Sequence, residues 1–252
     1  MKKVAFVLVL VAGLVAPDEA FPQGGPGFLF RTPRVSAGLR VGYQLPRASS
    51  NLFDDVRAFY TLSRSDFGAL HLGGEVAVRV RERWDVALGV GWARSSSQSE
   101  YRDWVDEDRL PIEQETVFER FSGTAGAKYY LARRGRTIGR FAWVPARFAP
   151  YVGGGVGFTY YEFEQFGDFV ALDTCVGDPP ACDIVYDRLL TTGTGAAAYA
   201  AAGADFSLGK QFVLTSEARY HLGSGPMRGP YRRFDRIDLS GLQLTAGVAV
   251  RW

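Results

Sequence analysis

In the last eleven residues, LQLTAGVAVRW (242–252), apolar side chains occupy alternate positions: Leu242, Leu244, Val248, Val250 and Trp252 stand between Gln243, Thr245, Gly247 and Arg251. A period of two belongs to an extended strand whose two faces meet different surroundings. The pattern runs to the final residue, where a soluble domain is usually frayed and polar.

The same period recurs upstream. FVLTSEARYHL sets Phe212, Leu214, Ala218, Tyr220 and Leu222 against Thr215, Glu217, Arg219 and His221. Leu70, Leu72, Val76, Val78 and Val80 oppose His71, Glu75 and Arg79, and Trp84, Val86, Leu88, Val90 and Trp92 oppose Asp85, Ala87, Gly89, Gly91 and Ala93. In YVGGGVGFTYY, Val152, Val156, Phe158 and Tyr160 face away from a glycine row at Gly153, Gly155 and Gly157. GAAAYAAAGADF is the weakest segment: the parity that sends Phe206 outward sends Tyr199 and Asp205 inward, and a bulge could reverse part of it.

Eight strands are predicted, near 35–46, 67–80, 84–96, 117–132, 148–163, 192–207, 211–222 and 239–252. Three connections are comparatively short (RERW, ARRGRTIGRFAWVPAR and SLGKQ), whereas the other four are long and rich in Asp, Arg, Ser, Pro and Gly. Short turns at one end and long loops at the other predict an all-β fold, an eight-stranded antiparallel up-and-down transmembrane β-barrel over 35–252, with both termini on the periplasmic side. The Arg-rich turn at 133–147 is longer than this layout needs, and the sequence gives no physical reason for it.

Composition agrees. The chain carries 30 glycines and 14% aromatic residues, and 47% hydrophobic residues yield a mean hydropathy of only −0.06, so its apolar residues are dispersed. One apolar run is continuous: Lys2 and Lys3 precede Val4 to Ala16, too short for a spanning helix, and helix breakers follow. Residues 1–20 therefore read as a signal peptide, cleaved after Ala16 or Ala20, and 21–34 as an N-terminal periplasmic segment. Cys175 and Cys182, in CVGDPPAC, are expected to form a local disulfide in an oxidising compartment. The net charge of +2, with no basic aromatic-interleaved module, gives no reason to expect a nucleic-acid partner.

A soluble barrel would also alternate, but it has no reason to ring one rim with outward aromatics. Trp84, Tyr129, Phe206, Phe212 and Trp252 fall on the apolar face near the periplasmic strand ends, where an interfacial girdle is wanted.

The eight alternating segments, PYVGGGVGF (150–158), AAGADFSL (201–208) and the terminal GVAVRW together resemble the outer-membrane β-barrel domain family of small OmpA/OmpW-like porin-fold proteins. The resemblance spans about residues 35 to 252 and implies an architecture rather than an activity. It also implies that Val248, Val250 and Trp252 form the signal read by the barrel-assembly machinery. Independently, the last strand must pair with the first, because unpaired backbone groups cost several kcal/mol each in lipid.

An eight-stranded barrel has room inside only for side chains. Arg40, Glu75, Arg79, Arg120, Lys128, Glu217, Arg219 and Arg251 are therefore expected to form an interior polar network that plugs the lumen. The alternative is a narrow porin-like channel for small or amphipathic solutes. A lipid-modifying enzyme ranks third: His221 and Ser224 in YHLGSG are the nearest thing to a base and nucleophile, but parity turns His221 inward, and no catalytic residue, cofactor or metal is assigned. His71 joins the interior set.

The second loop carries Glu100, Asp103, Asp106, Glu107, Asp108, Glu113 and Glu115, a weak divalent-cation candidate, although DWVDED lacks EF-hand spacing. Arg228, Arg232, Arg233 and Arg236 in the fourth loop suit lipopolysaccharide phosphates, and the opposite signs suggest that these two loops pair. The expected partners are outer-membrane lipid, lipopolysaccharide and the assembly machinery, around a monomeric, non-enzymatic barrel with a structural or surface-interaction role.

Overall fold

The computed structural model describes residues 27–106, 108–171, 174–177 and 182–252, so the signal segment 1–20 and Glu107 of the second loop lie outside the described residues. The strands are β1 (Val35–Pro46), β2 (Ala69–Arg81), β3 (Trp84–Val105), β4 (Pro111–Tyr130), β5 (Gly135–Ile138), β6 (Ala142–Pro145), β7 (Phe148–Val170), β8 (Ile184–Ser207), β9 (Phe212–Gly225), β10 (Ile237–Asp238) and β11 (Gly241–Arg251). An α-helix, α1 (Asn51–Phe59), and a 3-10 turn (Arg64–Phe67) lie between β1 and β2.

Eight of the strands form an antiparallel ring in the order β1, β2, β3, β4, β7, β8, β9, β11, which β11 closes onto β1 from Pro46↔Gly241 to Ser36↔Arg251. At the seam Trp252 N donates to Val35 O at 3.0 Å while Arg34 N donates to Trp252 O at 2.8 Å. The final residue is thus the last rung of the ladder, and no strand edge is left facing lipid.

Outward positions carry an apolar belt. Leu39, Val41, Leu72, Val86, Leu88, Val156, Leu214, Leu244 and Val248 are all exposed. A soluble protein would not leave so large a contiguous apolar surface in water, whereas hydrocarbon accepts it. Aromatic pairs bound the belt: Trp84 meets Tyr129 at 4.9 Å and Phe148 meets Phe206 at 5.1 Å at the termini end, while Trp92, Phe121 and Tyr160 share one cross-strand row at the other. Trp84 and Trp92 are eight residues apart on β3, roughly 26 Å along a strand, which after tilting matches a barrel's apolar band.

The weak segment needs no bulge. The pairing of β8 with β9 is continuous from Ala197 to Ser207, Tyr199 is buried in the lumen, and Phe206 is outward. Glycine explains how Tyr199 fits: a Cβ at Gly155 on the neighbouring strand would stand 2.8 Å from Tyr199 Cε1.

Four strands run past the expected ends. β3 reaches Val105 rather than 96, β4 begins at Pro111 rather than 117, β7 reaches Val170 rather than 163, and β8 begins at Ile184 rather than 192. They project as a four-stranded sheet beyond the Trp92–Phe121–Tyr160 row, with Arg94, Ser96, Glu119 and Glu162 now outward. Much of what reads as loop is therefore strand in water.

Candidate functional site

The lumen is closed at three levels. At the termini end, the long connection folds into the β5–β6 hairpin, turned at Gly139 (φ 61°). Trp143 is 2% exposed and is held by two backbone bonds with Leu29, Leu29 N→Trp143 O at 2.9 Å and Trp143 N→Leu29 O at 2.8 Å. The Arg251 guanidinium lies 5.0 Å from the Trp143 ring centroid and donates to the carbonyls of Lys210 and Gly209 and to Ser207 Oγ. The hairpin is a lid, which is why this turn is long.

Above the lid is a cavity of about 50 Å³, walled in part by Asp85, Tyr130, Arg134 and Asp205. Arg134 Nη1 donates to Asp85 Oδ2 at 2.6 Å, and Tyr130 Oη donates to Asp205 Oδ2 at 2.8 Å.

The second level is ionic. Arg40 donates to Glu75 Oε1 at 2.7 Å and to Glu217 Oε1 at 2.9 Å, and Arg219 donates to Glu217 Oε1 at 2.9 Å through Nε. Lys128 donates to Glu75, Arg219 reaches Glu75 Oε2 at 3.4 Å, and Tyr151 Oη donates to Glu217 Oε2 at 2.8 Å. Three cations and two carboxylates from four strands, with Tyr151 from a fifth, thus lock the middle of the barrel. The cations also lie over tyrosine faces, Arg219 at 4.2 Å from Tyr199 and Lys128 at 4.8 Å from Tyr151.

Three of the eight expected network members stand apart. Arg79 donates to the carbonyls of Arg81 and Glu82 at the rim, Arg251 braces the lid, and Arg120 sits near the far end of the lumen. Parity along a strand gives the face but not the height, and these three differ in height. His221 Nε2 is 2.9 Å from Gln243 Oε1, and His71 shares a cavity of about 20 Å³ with Arg219, Gln243 and Ser122. Ser224 Oγ accepts from Arg236 Nε at 2.9 Å and makes no pair with His221.

The third level is apolar, and sequence reasoning missed it. Helix α1 turns Leu52, Phe53 and Val56 into the projecting part of the barrel, where Phe67, Phe118, Phe163, Tyr231 and Ile237 complete a core. Phe53 meets the rings of Phe67 at 4.8 Å, Phe118 at 5.7 Å and Phe163 at 6.0 Å. Arg120 lies beneath it, its guanidinium 4.5 Å from the Phe118 ring and donating to Phe67 O at 3.2 Å. The available signal was the spacing of Leu52, Phe53 and Val56 beside Asp54 and Asp55, one amphipathic helix face inside a loop.

The expected pairing of the second and fourth loops does not form: among the described residues no ion pair links them. The first loop joins both instead. Ser49 Oγ donates to Asp238 Oδ2 at 2.8 Å, Asn51 Nδ2 donates to Asp235 Oδ2 at 3.1 Å, and Arg102 Nε donates to Arg57 O at 3.1 Å. Burial alone would raise the Asp238 carboxyl, but hydrogen bonds from Ser240 and Ser49 outweigh it and hold the group below its usual range. Among the described residues no three His, Cys, Asp or Glu side chains are grouped to hold a metal.

Arg228, Arg232, Arg233 and Arg236 are exposed. Arg236 is held by Ser224, four residues beyond the belt residue Tyr220. Cys175 and Cys182 are joined by a disulfide in the β7–β8 connection. Beside it, β8 presents a bare edge. β9 pairs with β8 only from Ala197 onward, so Ile184–Leu190 has β7 on one side and, among the described residues, no strand on the other. Tyr186 on this edge is 73% exposed.

No family model and no curated protein matches the chain. Solved structures do. The outer membrane protein OprG from Pseudomonas aeruginosa is 14% identical, with a TM-score of 0.47 over 89% of this chain and 99% of that one. Neisserial surface protein A is 13% identical (TM-score 0.43, 86% and 96%), and the attachment invasion locus protein of Yersinia pestis is 12% identical (TM-score 0.43, 87% and 99%). The closed ring and the belted apolar exterior establish by themselves that this chain is an eight-stranded, antiparallel, up-and-down transmembrane β-barrel.

Proposed function

We propose that the protein is a resident of the bacterial outer membrane, with both barrel termini periplasmic, that serves as a non-enzymatic surface-interaction protein rather than a conduit. Its strand ring anchors it and its projecting sheet does the work. The observation that carries this reading is the edge of β8 over residues 184–188, on which no strand lies among the described residues and where Ile184, Val185 and Tyr186 are exposed. Natural proteins usually shorten, charge or cover such an edge, because its free N–H and C=O groups template another strand. An edge left open on the outside of a cell suits an extended polypeptide that adds as a further strand, with backbone bonds for affinity and apolar side chains for selectivity.

Two further features support it. The ionic and apolar closures leave no wide path through the lumen, which favours binding over transport. The fourth-loop arginines are exposed, with Arg236 held at Ser224 just beyond Tyr220, and their forked guanidinium groups suit bidentate contact with lipopolysaccharide phosphates.

The test pairs two measurements on protein in liposomes. Capture of a reduced, alkylated polypeptide, which remains extended, should be strong for the native chain and fall at least about tenfold, a change of about 1.4 kcal/mol, when Ile184 and Tyr186 are replaced by Lys. Single-channel conductance should stay near silent for both. A protein that conducts steadily and captures nothing would refute the proposal and favour the narrow channel.

A further inference from the structure

The two ends of the barrel differ in charge. The projecting end carries exposed carboxylates such as Asp54, Asp103, Glu113 and Asp168, but the termini end is basic. There Arg34, Arg81, Arg133, Arg136, Arg140 and Arg147 are exposed, and among the described residues of that end Glu82 alone exposes a side-chain carboxylate. Glu82 is already engaged by Arg133 at 3.2 Å, whereas Asp85 and Tyr130-bonded Asp205 are turned into the lumen. The exposed arginines therefore outnumber the exposed carboxylates at this surface.

Three observations indicate what this excess meets. The basic residues are interleaved with the lower aromatic belt: Arg81 is the ladder partner of Trp84, and Arg147 immediately precedes Phe148. Apolar side chains accompany them beyond the belt, since the lid hairpin exposes Ile138 and Phe141 (51% and 72%) on either side of Gly139-Arg140. The side chains are arginines, whose planar fork matches a phosphate and whose stem can lie along apolar surface while the head stays at the interface. A rim that is at once cationic, aromatic and apolar fits a lipid interface better than the surface of a protein.

We infer that the termini-end collar is a binding surface for anionic phospholipid headgroups of the leaflet it faces, with the tip of the β5–β6 hairpin as its wedge. This rests on the outer-membrane placement proposed above. Binding there also gives the lid a further anchor besides Leu29 and Arg251, so the lipid that holds the hairpin helps keep the lumen shut.

The test uses the full-length mature chain folded into vesicles, with the belt residues Trp84 and Trp252 as part of the fluorescence signal. Brominated phosphatidylglycerol and brominated phosphatidylcholine are compared as quenchers at equal mole fraction. A relative preference for phosphatidylglycerol of about fivefold or more is expected at low salt, since each interfacial arginine contributes on that order. High salt should weaken the preference, and the combined Arg136→Ser, Arg140→Ser and Arg147→Ser variant should largely abolish it while still inserting. Insertion into neutral vesicles tests the barrel placement separately, so the two can fail independently. Equal quenching by both lipids, or a preference that survives in the triple variant, would overturn the inference; the first result would point the arginines to an acidic periplasmic protein instead.

Discussion

Below the Trp92–Phe121–Tyr160 row the barrel is inside out, with Leu88 and Val156 outward and Glu75, Lys128 and Glu217 in the lumen. Above that row the same strands reverse the pattern: Phe118 and Phe163 are inward and fully buried, while Arg94, Glu119 and Glu162 face out. The parity never changes, since the ladder between β4 and β7 is continuous from Tyr130↔Tyr151 to Gln114↔Gly167. What changes is the outer solvent, from hydrocarbon to water. The lower part is locked by ion pairs inside a low-dielectric tube, and the upper part by the burial of aromatic rings.

The largest expected effect comes from breaking the lower lock. Glu217 has a side chain only 1% exposed and engages Arg40, Arg219 and Tyr151. Glu217→Ala strands cations in the lumen and should cost about 3–5 kcal/mol, read by denaturant unfolding in liposomes, where a loss under 1 kcal/mol would mean that water already screens the cluster. Phe53→Ala attacks the upper lock and should cost about 3 kcal/mol. Because that core lies beyond the belt, the damage should appear as faster proteolysis of the first and fourth loops while the strands within the membrane stay protected.

The exterior offers the third comparison. Leu88→Arg puts a charge near the middle of the belt and should cost about 2–4 kcal/mol, whereas Gln98→Arg on the same face of the same strand should stay within about 0.5 kcal/mol. Equal costs at the two positions would erase the boundary between the solvents.

The smallest effect concerns pH. Asp238 is held below its ordinary range by the hydrogen bonds that tie the first loop to the fourth. A carboxylate lowered in the folded state stabilises it fully above the unfolded value, near pH 4, and loses that contribution as pH falls further. The junction should therefore open only in acid, below about pH 4, as seen by hydrogen exchange at Ser49 and Ser240. Asp238→Asn should flatten the profile, and an unchanged profile would remove Asp238 from the junction.

The sequence disclosed the lower region well because charge and glycine contrast sharply with Leu, Val and Trp there, as in Trp84–Trp92. The upper extensions were obscure for a physical reason. In β3 the residues Ser95 to Ser99 are polar on both faces, and in β7 the apolar parity moves from Tyr160 to Tyr161 and Phe163, so a rule tuned to one solvent stops at the boundary. The ionic cluster was legible as a set of inward charges, but its membership was not, because Arg120 and Arg251 share its parity and differ only in depth. The lid was unreadable: nothing local to Trp143 announces that Leu29, over a hundred residues earlier, will pair with it.

The exchange of solvents along one strand can be tested most directly by spin labels at the outward positions of β3, placed singly at Val86, Leu88, Val90, Arg94, Ser96 and Gln98 in liposome-embedded protein. Their access to oxygen, which concentrates in lipid, is compared with access to a water-soluble nickel chelate. Labels should be oxygen-dominated through Val90, cross over around Trp92, and be chelate-dominated from Ser96 onward. Lipid-like values at Ser96 and Gln98, or water-like values at Leu88, would contradict the exchange of solvents.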